Sequence, residues 1–301
     1  MTAPFRCAVE SSGRPDDLAG TASTVRAFLL VEESGPWGVD ALRDSRLPVQ
    51  DTLRERAHGT GVRALLVRRH GRSDSGVMRR VFAAYADPAR PWLETATVER
   101  PEDLLDLDFA ALGRGESPGL TPSDDSVFAV CTHGRHDTCC AERGRPVAAA
   151  LTDAHRQATW EVSHIGGDRF AGNLLVLPHG LYYGRIDPAT GLAVAGAHLS
   201  GHLDLDHLRG RSAWPMSAQA AEIALRRQLD ETALGAVRLV GRRVEPRGAG
   251  TEARVELEVA GRRWLVVVRT ESGPDTARLT CRATRENGLP RHDVLSIEAL
   301  A

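Results

Sequence analysis

Short apolar runs separated by turn-rich polar segments dominate the chain, and their spacing sets the expected elements. Ala27-Phe-Leu-Leu-Val-Glu32 predicts a buried strand, closed by the turn residues Ser34-Gly35-Pro36. Leu53 to Ala57 reads as the end of a helix, and Val62 to Val67 as a second strand. Val77 to Ala84 and Trp92 to Val98 give two more, so the region opens as a βαβ layer. Arg114 to Asp125 is rich in Gly, Pro, Ser and Asp and reads as a linker.

Beyond it, Ser126 to Val130 is a strand that delivers Cys131. Cys140 to Leu151 is a helix whose regular part is limited by Pro146, and Thr159 to Ser163 is a strand that leads into His164. Asn173 to Pro178 and Gly180 to Arg185 form a strand pair turning at His179-Gly180. His198 to Leu208 is read as a short helix. Ser217 to Leu229 is a clearer one, with Ala220, Ile223, Ala224 and Leu229 on one face and Glu222, Arg226, Arg227 and Asp230 elsewhere. Val237 to Gly241, Ala253 to Val259, Arg263 to Arg269 and Ala277 to Cys281 suggest an antiparallel meander, in which Val255-Glu-Leu-Glu-Val259 alternates as a sheet with one wet face should. No internal repeat is visible. The expectation is a mixed α/β (α+β) chain: an N-terminal α/β region at 1–113, a linker at 114–125, a central unit at 126–212, and a helix plus β-meander at 213–301.

Composition narrows the classes of function. A net charge of -2 gives no global field toward nucleic acid or an anionic surface. All 38 basic residues are arginine, scattered rather than striped, which reads as codon bias. Aromatic content of 5% argues against a base-stacking platform. No apolar run approaches the roughly 20 residues a membrane span needs, and the N-terminus lacks the pattern of a signal peptide. The expected location is the cytoplasm, where clustered cysteines point to metal or redox chemistry rather than structural disulfides.

Three of the 5 cysteines fall in Cys131-Thr-His133-Gly-Arg-His136-Asp137-Thr-Cys139-Cys140. His164-Ile-Gly166-Gly167-Asp168 follows. Thiolates and imidazole are ligands that zinc and iron–sulfur clusters select. A strand ending in Cys131 and a helix starting at Cys140 would bring two sulfurs together, with the helix N-terminus favouring thiolate. His164 and Asp168 can curl around one metal because the intervening glycines adopt conformations other residues avoid.

These segments resemble the sucrase/ferredoxin-like family of thioredoxin-like ferredoxins. The likeness is carried by Cys131, His133, Asp137, Cys140, His164-Ile-Gly-Gly, Arg169 to Asn173, Tyr183 to Arg185, Arg209 to Ser212 and Gln219 to Arg226. It extends more loosely to Asp17 to Ala22 and Leu29 to Gly38. The resemblance implies a thioredoxin-like fold and a [2Fe-2S] cluster, held in characterised eukaryotic members by two cysteines and two histidines arranged His-x-Gly-Gly-His. Cys131, Cys140 and His164 match that set. The second histidine is Asp168 here. The fourth ligand is therefore Asp168, or else Cys139, His133 or His136. With two thiolates, one carboxylate and a neutral imidazole around a core of about +2, the oxidised centre carries roughly -1. Its potential is expected between those of four-cysteine and two-cysteine, two-histidine centres, and its reduction is expected to depend on pH.

The resemblance thus implies a one-electron carrier exchanging with a reductase or an oxygenase, rather than an enzyme with its own substrate, and with no nucleic-acid partner. Two rival readings are a cluster-free thiol oxidoreductase or sensor working through Cys139 and Cys140, and a binding module whose cluster site has become structural. No motif places an acid and a nucleophile about a sugar, so glycoside hydrolysis is set aside. His133, His136 and Asp137 are read as shaping the loop, Asn173 and Arg185 as holding it. His198, His202 and His207 are read as a solvated helical segment, and Cys7 and Cys281 as lone thiols.

Overall fold

A computed structural model describes residues 4–14, 16–71 and 78–301. Met1 to Ala3 and Val77, the expected start of the third strand, lie outside them. The N-terminal apolar runs join into one sheet that is ten-stranded among the described residues. Its strands are β1 (Ala27–Glu32), β2 (Val62–Arg68), β3 (Arg79–Tyr85), β4 (Trp92–Val98), β5 (Thr121–Ser123), β6 (Val127–Cys131), β7 (Thr159–Val162), β8 (Leu174–Leu177), β9 (Leu181–Tyr183) and β10 (Leu208–Arg211). They lie in the order β10-β9-β8-β6-β7-β2-β1-β3-β4-β5. β1 and β6 are buried along their whole length, which their unbroken apolar runs anticipate.

This order is symmetric about its middle. β1 pairs parallel with β2 across α2 (Gln50–Gly59), then antiparallel with β3, which pairs with β4. β6 likewise pairs parallel with β7 across α4 (Thr138–His155), then antiparallel with β8, which pairs with β9. Each half then has a helix, α3 (Phe109–Arg114) or α5 (Pro188–Leu199), and a fifth antiparallel edge strand. The connectivity β-α-β-β-β-α-β thus occurs twice, although no repeat shows in the sequence. The second copy has the expected thioredoxin-like strand order. β2 and β7 join the halves by antiparallel pairing of Val67 with Val162 and Arg68 with Glu161. Only the C-terminal ends of these strands overlap, so the carboxyl rims of both βαβ units meet at the junction.

Several expectations change. The stretch read as linker contains β5, which pairs with β4 through Leu93 and Ser123. The helix expected at His198 to Leu208 lies earlier: Asp187 caps it by accepting from Thr190 N at 2.8 Å, Pro188 opens it, and Leu208 already begins β10. α4 runs straight through Pro146, which sits on its exposed face, where the carbonyl its ring leaves unpaired can reach water.

α6 (Met216–Leu229) packs on a second sheet of β11 (Val237–Arg247), β12 (Gly250–Val259), β13 (Arg262–Ala277) and β14 (Asn287–Ala299). Ala218, Ala221 and Leu225 meet Val255, Leu257, Val266 and Val268 there. The fourth strand is β14, not Ala277 to Cys281; Ala277 ends β13 and Cys281 lies in the connection that follows. Glu222 and Arg226, expected off the apolar face, are fully buried. Arg211 and Arg226 both donate to Glu222 Oε1 at 2.9 Å, which explains how a carboxylate can lie inside.

Candidate metal centre

Cys131 ends β6, and its register partner Val162 ends β7, so the chain leaves both strands at one rim. The loop after β6 enters α4 through Asp137, whose carboxylate accepts from Cys139 N at 2.9 Å. The loop after β7 carries His164 and Asp168. The two loops meet: Cys140 Sγ lies 3.3 Å from Asp168 Oδ1, and His164 Nδ1 lies 3.0 Å from the same oxygen. His136 Nε2 is 3.5 Å from Asp168 Oδ2, and its ring stacks on that of His164 with centroids 3.7 Å apart.

Electrostatics follow from this packing. Burial raises the Asp168 carboxyl, but the facing imidazoles of His136 and His164 outweigh it and hold the group well below the usual carboxylate range. Asp168 in turn is the main cause that raises His136, working against burial. The Cys140 thiol beside Cys131 lowers the latter's pKa; burial opposes this, and the backbone amides of His133 and Ile165 reinforce it. Both sulfurs are buried, whereas the side chains of His136 and His164 are 31% and 30% exposed and line a cavity of about 320 Å³ with Val39 to Leu42. The imidazole edges are the part of the centre that meets solvent.

The loop is held from below. Arg209 is buried and donates to Gly166 O at 2.9 Å, Asn173 Oδ1 at 2.8 Å and Thr21 O at 2.6 Å. Asn173 Nδ2 donates to Gly167 O at 2.9 Å, in the loop-holding role expected of it. Arg185 instead reaches Ser11. Gly167 has φ +80°, and a Cβ there would lie 2.2 Å from Arg209 Nη2. Only glycine fits both the conformation and the approach. Arg209 was part of the sequence resemblance, but nothing in its spacing marked it as the anchor of this loop.

Of the alternative fourth ligands, His136 stays beside His164 and Asp168, whereas His133 and Cys139 are held elsewhere. His133 is engaged at both nitrogens, with Nε2 2.7 Å from Gly38 O and Nδ1 accepting from His164 N at 3.2 Å. Cys139 and Cys140 are successive helical residues and their sulfurs diverge; that of Cys139 lies 3.4 Å from Cys281 Sγ. Cys281 in turn lies 3.6 Å from Cys7 Sγ, so neither of these is the lone thiol the sequence suggested. His198, His202 and His207 do not converge: His198 is buried with Nε2 3.3 Å from Ser126 Oγ, His202 pairs with Thr232 and His207 with Asp204.

The donors present suit a transition-metal group. His164 Nδ1 is buried with no hydrogen-bond partner, since Asp168 Oδ1 is close but out of line. A nitrogen without a hydrogen bond, beside a carboxylate that also contacts a thiol, is an arrangement a metal ion would satisfy. His136, His164 and Asp168 bring ligand atoms within 4.8 Å of one another. Among the described residues, no helix is long and apolar enough to cross a membrane. Comparison with known proteins finds a match of residues 18–210 to the family model described as sucrase/ferredoxin-like. No curated protein and no solved structure matches the chain. The match spans both halves of the ten-stranded sheet as far as β10 and takes in the loops after β6 and β7, and the chain belongs to the sucrase/ferredoxin-like family.

Proposed function

We propose that this protein is a one-electron carrier whose [2Fe-2S] cluster is held by Cys131, Cys140, His164 and Asp168. One observation carries the reading: the buried Cys131 and Cys140 thiols adjoin, Cys140 Sγ lies 3.3 Å from Asp168 Oδ1, and His164 Nδ1 lies 3.0 Å from that same oxygen, at the rim where β6 and β7 end. When bound, the cluster supplies the one-electron couple. Burial keeps water from the sulfurs, while the half-exposed His164 and His136 give an electron a short path to a docked reductase or oxygenase. Arg209 and Asn173 fix the second loop, so the nitrogen and carboxylate donors are placed before anything binds. His136, stacked on His164 and facing Asp168 Oδ2, positions both. A cluster-free thiol reaction between Cys139 and Cys140 gains no support, because their sulfurs face different partners.

The test is anaerobic purification followed by iron and sulfide analysis and EPR. The expected result is about two irons and two acid-labile sulfides per chain, with a paramagnetic signal on reduction. Asp168→His should keep the cluster and raise its midpoint potential, because one negative charge is removed; Asp168→Ala should lose it. Protein prepared without oxygen that holds no labile sulfide and stays EPR-silent when reduced would overturn the proposal.

A further inference from the structure

Cys7, Asp137, Cys139 and Cys281 come from three separate parts of the chain. Cys7 opens the short helix α1 (Cys7–Ser12), Asp137 and Cys139 head α4, and Cys281 lies in the connection between β13 and β14. Cys7 and Cys281 both fall outside the stretch shared with the family, residues 18–210. One ligand atom from each of the four lies within 4.8 Å of all the others. Cys139 Sγ and Cys281 Sγ are 3.4 Å apart, Cys281 Sγ and Cys7 Sγ 3.6 Å, and Cys7 Sγ and Asp137 Oδ2 3.4 Å.

We propose that Cys7, Cys139, Cys281 and Asp137 form a second, structural metal site that takes zinc. Zinc–sulfur bonds of about 2.3 Å in a tetrahedron place sulfurs about 3.8 Å apart, close to the spacing found here. The three thiols and the carboxylate contact one another only through weak sulfur contacts of 3.4–3.6 Å. Arg6, the cation beside them, is committed to Glu142 in a bidentate pair at 2.7–3.0 Å. The carboxylate is already aimed: Cys139 N donates to Oδ1 at 2.9 Å and Cys281 N to Oδ2 at 2.6 Å, so its free lone pairs turn toward the sulfurs. Binding deprotonates the three thiols and releases those protons to solvent, with no change of oxidation state.

Such an ion would pin the β13–β14 connection and α1 onto the head of α4, one residue from Cys140. Two contacts already run along this path: Arg282 Nη1 donates to Arg135 O at 3.0 Å, and the Arg278 guanidinium lies 3.4 Å from the centroid of the Phe5 ring. The site is independent of the electron-carrier reading, since its four residues are not those assigned to the cluster.

The experiment is elemental analysis of the full chain, purified anaerobically from zinc-supplemented medium, for wild type, Cys7→Ser, Cys281→Ser and Cys131→Ser. The expected result is about one zinc per chain in wild type, less than about a fifth of that in Cys7→Ser and Cys281→Ser with iron unchanged, and zinc retained in Cys131→Ser with iron lost. Cobalt(II) exchanged into wild type should give the intense visible bands of tetrahedral thiolate coordination, a readout that needs no variant. Wild type without zinc, zinc retained in full by both Cys7→Ser and Cys281→Ser, cobalt(II) protein lacking those bands, or an intact mass showing a Cys139–Cys281 disulfide would each overturn the proposal. Zinc present without iron would count against the electron carrier and leave the second site standing.

Discussion

Gly167→Ala tests how the loop after β7, which carries His164 and Asp168, is held. Gly167 takes φ +80°, and for an L-residue the left-handed region costs about 1–2 kcal/mol. The new methyl would also lie 2.2 Å from Arg209 Nη2 and 2.5 Å from its Cζ. A guanidinium on a free side chain would move aside. This one is fastened to Gly166, Asn173 and Thr21, so yielding breaks at least one charge-assisted hydrogen bond, a loss of about 1.5–3 kcal/mol. The expected destabilisation is therefore about 2.5–5 kcal/mol, read as a lower urea midpoint by tryptophan fluorescence. Gly166→Ala is the control. Its φ is +93°, and its Cβ would meet Ser23 Oγ at 2.8 Å; that hydroxyl donates to Ile165 O at 3.1 Å and is partly exposed, so turning it aside exchanges one neutral hydrogen bond for water and the backbone cost of about 1–2 kcal/mol dominates. In an Arg209→Ala background the cost of Gly167→Ala should fall to that same level. Equal losses at Gly166 and Gly167, or no coupling between Gly167 and Arg209, would refute the argument that the arginine sets the loop.

Two further outcomes follow from groups away from the candidate site. Glu222→Ala strands the Arg211 and Arg226 guanidiniums, both buried, so thermal and urea unfolding should show a loss of about 3–5 kcal/mol, much larger than for an exposed ion pair such as Arg100–Asp103. Burial lowers His179 and His198 each to about 4. The unfolded chain takes up these protons first, near pH 6.5, so the stability held above that pH is lost as pH falls from about 6.5 to 4, by roughly 3 kcal/mol for each imidazole. His198→Gln should flatten that slope by about half; an unchanged slope would mean that the two imidazoles are not buried in neutral form.

How far the chain could be read before folding depends on the range of the signal. β1, β4 and α6 were legible to within a residue or two, because unbroken apolar runs and helical periodicity are local properties. α5 was misplaced because its glycines, Gly191 and Gly196, dilute the apolar pattern, and the capping pair Asp187-Pro188 was the overlooked signal. The candidate ligands Cys131, Cys140, His164 and Asp168 were visible as unusual residue types at close spacing, and the fold brings their loops together. The pairing of Cys7 with Cys281 could not be seen, since nothing local relates residues so far apart along the chain.

Residue order thus determined the elements, the two loops rich in sulfur and imidazole, and the glycines that let one of them turn. Tertiary structure decided the rest. It placed two like-connected halves edge to edge so that their carboxyl rims meet, and turned Glu222 and Arg226 inward because Arg211 was there to share the charge. It also sent the neighbouring sulfurs of Cys139 and Cys140 to different clusters. The physical reason is the same throughout. Local sequence fixes backbone conformation, but which side chains share a low-dielectric interior depends on contacts that only the closed fold creates.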